Sequence, residues 1–587
     1  MNRSRVAVLA AVATVAASLA VARPFGRPVE APRGPVEGPS VPARGAVPAA
    51  TPVPAWAGSL LAVPVSDGLA RAIALLEVGR DAPAARLVAG FEEIGRLAWS
   101  PDGGTLAFGA RRAANWDVYL VGRDGAGLRR LTAHAAFDAW PAWSPDGRQV
   151  AFVSYRGGGL GLYRLPVGGA DADAVPLTEG GGRAIEPAWS PDGARIAFAS
   201  WHEGAYRLEA VDAAGGSRRV VAEDAGTDLR SPAWAPGGRR LAYLAGRYGS
   251  GRLVEMPWAA DPEASVTEAT LVAVRAEGFA WVPGAELLAA VTTERAGRTV
   301  EVRDPASLGR RTVALLPPGA GDLAWTRGPA PIGLPPIAAG AQVAPAATGA
   351  HPGMVLLADV DVPGARMNAA LAEDYAALRA AVRAEVGVDF LGTLSDLWRP
   401  PGFSSSGSSF FSWHKAGRAF DTQMELRGPG GRRDMVLVRE EAGGRTTWRM
   451  MLRAAAQDGS AGRPLVEPGW TFAAATGEPE GAADGGRRGG EVPEGYWVDF
   501  TALAERHGWR RIASLTRPGL DWRRDWAAIE YWHYERRDGL RWFDAMREIY
   551  ADAELAAELG ADRLRALDIP LDRLARLGFP AGWLSEG

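Results

Sequence analysis

The chain has 587 residues with 65 basic and 68 acidic side chains, a net charge of -3. At roughly 150 residues per domain it holds two to four domains, and the balanced charge excludes a basic field that would gather nucleic acid. Cysteine is absent, which removes disulfides, thiolate zinc fingers, iron-sulfur clusters and a cysteine nucleophile, so any metal must be held by His, Asp or Glu.

Residues 1–22 read as an export signal. Arg3 and Arg5 precede an uncharged apolar run from Val6 to Val21, and Ala20-Val21-Ala22 supplies a small-x-small cleavage pattern. The alternative is an uncleaved anchor, since the run sits at the short limit for spanning a bilayer. Either way the protein is expected outside the cytoplasm, secreted, periplasmic or cell-wall associated, with membrane contact only if the segment is retained. Residues 23–55 carry nine prolines among Gly, Ala, Val and Arg, a semi-rigid spacer.

A repeat follows. Trp99, Trp143, Trp189, Trp234, Trp281 and Trp325 are spaced by 44 to 47 residues, within AWSPDGGTLAF, AWSPDGRQVAF, AWSPDGARIAF, AWAPGGRRLAY and the degraded AWVPGAELLAA. Ser-Pro-Asp-Gly is a tight turn between two short strands. A third strand (WDVYLVG, GLYRLPV, YRLEAVD) and a fourth such as LRRLT complete a four-stranded propeller blade. The strand near Trp325 has no three strands after it, while residues 58 to 90 hold strand-like runs without a strong motif before them. The expectation is that these join into one blade, closing a ring of six; a first copy beginning at Trp56 is the rival reading. The segment 56–327 resembles the TolB-type propellers built from the WSPDG repeat, which implies a binding platform or a companion to a catalytic domain. Its ligand is not specified by the sequence, and a protein is one option. The repeated Trp residues are expected to pack between blades, with Asp102, Asp146 and Asp192 holding turns. His134 and His202 are isolated.

Residues 328–352 are rich in Pro, Ala and Gly and mark a linker. A second domain is expected over 353–550. Met367, Leu371, Tyr375, Leu378, Val382 and Val386 recur at helical steps and predict one amphipathic helix. Beyond it, Ser412-Trp413-His414-Lys415-Ala416-Gly417-Arg418-Ala419-Phe420-Asp421 places a His and an Asp seven positions apart. Ile529-Glu530-Tyr531-Trp532-His533 supplies a Glu and a second His. Two imidazoles and one carboxylate suit Zn2+ and leave a position for water or substrate, and a further carboxylate would serve as general base.

The two motifs resemble the VanY-type D-alanyl-D-alanine carboxypeptidases, whose pattern is Ser-x-His-x-x-Gly-x-Ala-x-Asp followed by Glu-x-Trp-His. Every fixed position is met by Ser412, His414, Gly417, Ala419, Asp421, Glu530, Trp532 and His533. The resemblance implies that His414, Asp421 and His533 hold zinc and that Glu530 is the base. It also implies a substrate-binding arginine upstream, for which Arg399 in SDLWRPPGF is the best match. Ser412 and Trp532 are expected at the substrate. The implied architecture is an all-β six-bladed propeller followed by an α+β zinc peptidase domain of the D-Ala-D-Ala carboxypeptidase/hedgehog type, acting on peptidoglycan stem peptides. An endopeptidase of the same superfamily, or a binding or sensing protein with an inert peptidase fold, are the alternatives.

The spacing of 109 residues between Asp421 and Glu530 departs from the family and includes the Gly-rich, charged stretch 476–491, which reads as a flexible surface insertion. The serine-rich run from Ser404 to Ser412 reads as a loop, and no Gly-x-Ser-x-Gly elbow is present. His507 is read as a helix C-terminal residue before Gly508, His351 as part of the linker, and 551–587 as a helical tail with a structural role.

Overall fold

The computed structural model describes residues 56 and 58–584, except 68–69, 80–84, 114, 179–182, 248–250, 259–268, 295–296, 304–309, 318–321, 332, 336–352, 404–409, 443, 473–485, 518–519, 526–527 and 567–568. They belong to one compact unit, Pro54–Gly587. The export segment, the Pro-rich spacer, His351 and most of the second linker lie outside the described residues. No helix among the described residues is long and apolar enough to cross a membrane.

The repeat folds into six four-stranded antiparallel sheets. Five run in chain order, each opened by the strand that carries the motif tryptophan: Glu93–Trp99, Asp138–Trp143, Ala184–Trp189, Leu229–Trp234 and Gly278–Trp281. The sixth is assembled from both ends of the segment. Ala324–Thr326 pairs with Leu60–Asp67, setting Trp325 opposite Leu61, and Ala70–Glu77 and Ala85–Phe91 complete the sheet. The opening strands touch their neighbours around the ring, and Ala324–Thr326 touches Glu93–Trp99. Trp56 lies in a turn before the first paired strand, so no separate blade begins there.

The run LLAVPV from Leu60 is apolar throughout because both its faces are covered. Leu60 and Ala62 join a cluster with Leu106 and Phe108 of one neighbouring sheet. Leu61 and Val63 join Val291 and Val300 of the other.

The motif residues act as expected. The indole N–H of Trp143 donates to the Ala98 carbonyl of the preceding blade at 3.0 Å, and Trp234 and Trp281 reach Ala188 and Ala233 at 3.1 Å. Trp325 donates to the Ser59 hydroxyl at 2.7 Å, stapling the closing strand to the start of the ring. In the turns, Asp146 accepts from the Ser144 hydroxyl at 2.6 Å and the Arg148 N–H at 3.0 Å, and Asp102 and Asp192 repeat the arrangement.

The second region opens with helix α1 (Ala372–Val386), which buries Tyr375, Leu378, Val382 and Val386. Met367 and Leu371 share the helical spacing but fall in a short strand, Arg366–Asn368, and a 3-10 turn. Four short strands form the sheet that carries residues of both motifs: β1 (Leu394–Asp396), β2 (Ala419–Thr422), β3 (Arg510–Arg511) and β4 (His533–Glu535), in the order β1-β2-β4-β3. Helix α2 (Phe500–Arg506) ends at His507, with Gly508 at φ 83°, as read from the sequence.

The extra length between the two motifs is a six-stranded sheet. It runs from Arg463–Pro464 through Tyr496–Asp499, Arg445–Arg453, Met435–Ala442 and Trp470–Thr471 to Arg487–Arg488. The described part of the Gly-rich stretch, 486–491, is therefore not a free surface insertion. Arg488 pairs with the buried Asp228 of the propeller at 3.0 Å and donates to the Gly204 carbonyl at 2.9 Å. Nearby, Glu467 pairs with Arg230 at 2.6 Å, the Tyr206 hydroxyl donates to the Val466 carbonyl at 2.6 Å, and Phe137 N–H donates to the Tyr496 hydroxyl at 3.2 Å. One hydrophobic cluster runs through both regions.

The tail is also more than an appendage. Helix α3 (Trp542–Met546), just before it, and helices α4 (Asp552–Leu559) and α5 (Leu571–Arg576) within it pack Trp542, Phe543, Leu555, Leu559 and Leu574 around Trp413 of the first motif and the nearby Phe411.

Candidate metal centre and cleft

The first motif is a 3-10 turn, Trp413–Ala416, running into β2. Gly417 closes it at φ 62°, where an added Cβ would lie 2.7 Å from the Asn368 nitrogen and 2.8 Å from the Met354 sulfur. Only glycine meets both demands. The second motif ends in β4, and antiparallel pairing sets Asp396, Asp421 and His533 side by side across three strands. Directly paired residues share a face. His414, at the turn, completes the group.

Three donor atoms converge. His414 Nε2 lies 3.1 Å from Asp421 Oδ1 and 3.2 Å from His533 Nδ1, and His533 Nδ1 lies 2.8 Å from Asp421 Oδ1. All three residues are buried, at 1%, 7% and 8% exposure for His414, Asp421 and His533. The opposite ring atoms fix the tautomers. His414 Nδ1 donates to the Leu397 carbonyl at 2.7 Å, leaving Nε2 bare, and His533 Nε2 faces Glu535 Oε2 at 3.5 Å, leaving Nδ1 bare when the ring is neutral.

Two lone pairs and a carboxylate oxygen then face one another without a donor between them, which a cation or a proton must resolve. A tetrahedral ion with bonds of about 2.05 Å sets its ligands about 3.3 Å apart, close to the separations seen. The donors fit a divalent metal with nitrogen and oxygen preference, Zn2+ among them. His414, Asp421 and His533 are the one such group among the described residues.

The electrostatics agree. Burial works against the carboxylate of Asp421, yet the two imidazoles hold it well below the usual range. Burial likewise opposes a charged His533, but hydrogen bonds to Asp421 and Glu535 push its pKa up to about 10. A proton takes the place a metal would take.

The remaining predicted residues border the same open cleft of about 1620 Å3. This exceeds the roughly 300–1000 Å3 of small-molecule pockets. Glu530 precedes β4 at φ 60°, a left-handed conformation that is strained for a side chain of its size. Burial raises its pKa, with the Asp421 charge adding to the rise and His533 opposing it. Arg399 sits 4.0 Å from Asp421 Oδ2, clamped through its Nε to Asp396 at 2.6 Å. Trp532 accepts the Thr422 N–H through its carbonyl at 3.0 Å, and its ring meets Tyr531 edge to face at 4.9 Å. The Ser412 hydroxyl accepts the His414 N–H at 3.3 Å, so it caps the turn that carries the histidine as well as bordering the cleft.

Two residues escaped sequence reasoning. Asp396 orients Arg399, and Glu535 stands behind His533 while pairing with Arg537 at 2.6 Å. The tail helix α5, read as structural, borders the cleft through Arg573, Arg576 and the adjoining Leu577.

Comparison with known proteins identifies the propeller. Residues 82–295 match the family model of the TolB β-propeller domain. TolB from Acinetobacter baumannii is 15% identical, with 47% of this chain and 69% of that one covered and a TM-score of 0.40. A putative TolB from Agrobacterium tumefaciens is 21% identical over 36% of this chain and 80% of that one, with a TM-score of 0.31. A puromycin-hydrolysing peptidase from Mycobacterium tuberculosis is 16% identical over 47% and 48% of the two chains, with a TM-score of 0.33. The family match ends before the residues of the candidate metal group.

Proposed function

We propose that the protein is an exported zinc-dependent peptidase of the VanY type that acts on cell-wall stem peptides, with D-alanyl-D-alanine as the bond cleaved. The observation that carries the reading is the convergence of His414 Nε2, Asp421 Oδ1 and His533 Nδ1 within 3.2 Å, from motifs 119 residues apart, on the wall of an open cleft.

Zinc held by His414, Asp421 and His533 would polarise the scissile carbonyl and lower the pKa of water. Glu530 takes a proton from the attacking water and returns it to the leaving amine, a task favoured by a carboxyl whose pKa is raised by burial. Arg399 offers a guanidinium to the developing oxyanion or to the substrate carboxylate. Glu535 fixes the His533 ring and Asp396 fixes the Arg399 fork, so neither donor has to be ordered when substrate arrives. The export signal in residues 1–22 and the TolB-type propeller support an extracytoplasmic site of action.

The test is digestion of purified muropeptides by the full-length protein with and without chelator. Release of D-alanine that stops with chelator and returns with zinc supports the reading. Chelator-resistant cleavage, or full activity in Glu530→Ala, refutes it, and release of an internal fragment instead of D-alanine would assign the endopeptidase alternative.

A further inference from the structure

The same sheet that carries the metal group carries an arginine that the proposed chemistry does not use. Pairing of β3 with β4 and of β4 with β2 aligns Arg510, Glu535 and Ala419 in one cross-strand row. Paired residues share a face, and so do residues two apart on a strand. Arg510 therefore stands on the face that holds Glu535, His533 and Asp421. It is one strand, about 4.8 Å, from Glu535, which is itself about 6.8 Å along β4 from His533. Its neighbour Arg511 points the other way and is committed to Glu440 and Glu505.

Arg510 is exposed, borders the cleft and has no acidic partner among the described residues. Two more arginines share all three properties: Arg445 at the start of the strand Arg445–Arg453, and Arg573 on α5. Apart from the proposed base Glu530, the acidic groups bordering the cleft are already engaged. Asp421 faces the two imidazoles, Glu535 is held by His533 and Arg537, and Asp538 by Arg418 and Arg536. Glu505 meets Arg511 at 3.6 Å. Arg445, Arg510 and Arg573 thus border the cleft as three exposed guanidinium groups without an acidic partner among the described residues.

Building on the peptidase reading, we propose that Arg445, Arg510 and Arg573 form a subsite for carboxylates of the substrate, so that the peptide accepted carries free acidic groups beside the bond to be cut. A guanidinium fork matches a carboxylate in two parallel hydrogen bonds. At exposed positions each contact changes affinity by a few-fold, and three together by about tenfold or more. The attraction falls with salt because the groups are solvated.

The experiment uses zinc-loaded full-length Glu530→Gln and two fluorescent peptides ending in D-Ala-D-Ala that differ in having two Glu or two Gln upstream. At low salt the Glu peptide is expected to bind about tenfold tighter, and the gap to close in 0.5 M NaCl. In the background of the triple substitution Arg445→Gln, Arg510→Gln and Arg573→Gln the ratio is expected to fall near one, with circular dichroism confirming the fold. Arg510→Lys alone should keep part of the preference. Equal binding of both peptides, binding of neither, or a preference that survives the triple substitution overturns the subsite. Failure of the zinc-loaded wild type to hydrolyse either peptide overturns the peptidase reading instead, while the binding ratio still decides the subsite.

Discussion

On the proposed zinc reading a metal ion and a proton would compete for His533, and the competition has a measurable size. In the metal-free protein the folded-state pKa of His533 is about 10 against 6.5 for an unperturbed imidazole. Folding therefore binds a proton across this window. The associated stability is fully present below about pH 6.5 and is lost as pH rises toward 10, with a slope of up to about 1.4 kcal/mol per pH unit for a single proton. Asp421, whose folded pKa is depressed, adds stability above the ordinary carboxylate range that is lost in acid. Urea denaturation of chelator-treated protein at pH 6.5 and 8.5, followed by tryptophan fluorescence, should show a fall that His533→Gln abolishes. Zinc binding at pH 7.5, measured by calorimetry in two buffers of different ionisation enthalpy, should release about one proton. A wild type and His533→Gln with the same pH dependence, or zinc uptake without proton release, would refute the reasoning.

Other outcomes follow from the same geometry. Glu530→Gln should lower hydrolysis about 10²- to 10⁴-fold while elemental analysis finds the zinc content unchanged. Arg488→Ala strands the buried Asp228; breaking a buried pair costs about 3–5 kcal/mol, and the low end is expected because Arg247 remains 3.7 Å away. Its denaturation midpoint should shift far more than that of Arg576→Ala, whose pair with Asp572 is exposed. Gly417→Ala forces a Cβ against Asn368 and Met354, so zinc should be lost together with the near-ultraviolet signal of the turn.

The propeller was legible because its physics repeats. The motif tryptophans pack between blades and the three Ser-Pro-Asp-Gly copies hold the same turn, so the copies speak for one another. The convergence of His414, Asp421 and His533 was legible because the three lie in two short motifs of fixed spacing. What escaped depends on register and on single contacts. Asp396 and Glu535 gain their roles from strand pairing, which no local pattern reports. The seating on the propeller rests on isolated residues such as Arg488, Glu467 and Tyr496, with no periodicity to mark them. Glycines and charges made 486–491 look solvated, whereas one of those charges, Arg488, is spent on a buried partner. The tail showed a helical pattern, but a helix shows only that it buries one face, not that Arg573 at its edge looks into a cleft.

The hydrogen bonds and ion pairs that fasten the segment between the two motifs onto the propeller also bear on the order in which the site can form. His414 and His533 are 119 residues apart, and closing a flexible loop of that length carries an entropic penalty of about 4 kcal/mol before any constant term. A chain held at Glu467, Arg488 and Tyr496 has already surrendered most of that freedom. The two halves of the metal group then meet as ends of a fastened frame, and the affinity for the ion need not be diminished by the ordering of everything between them. On the proposed metal reading the propeller would act on ion binding by lowering the entropy of the metal-free protein, without contributing an atom to the site.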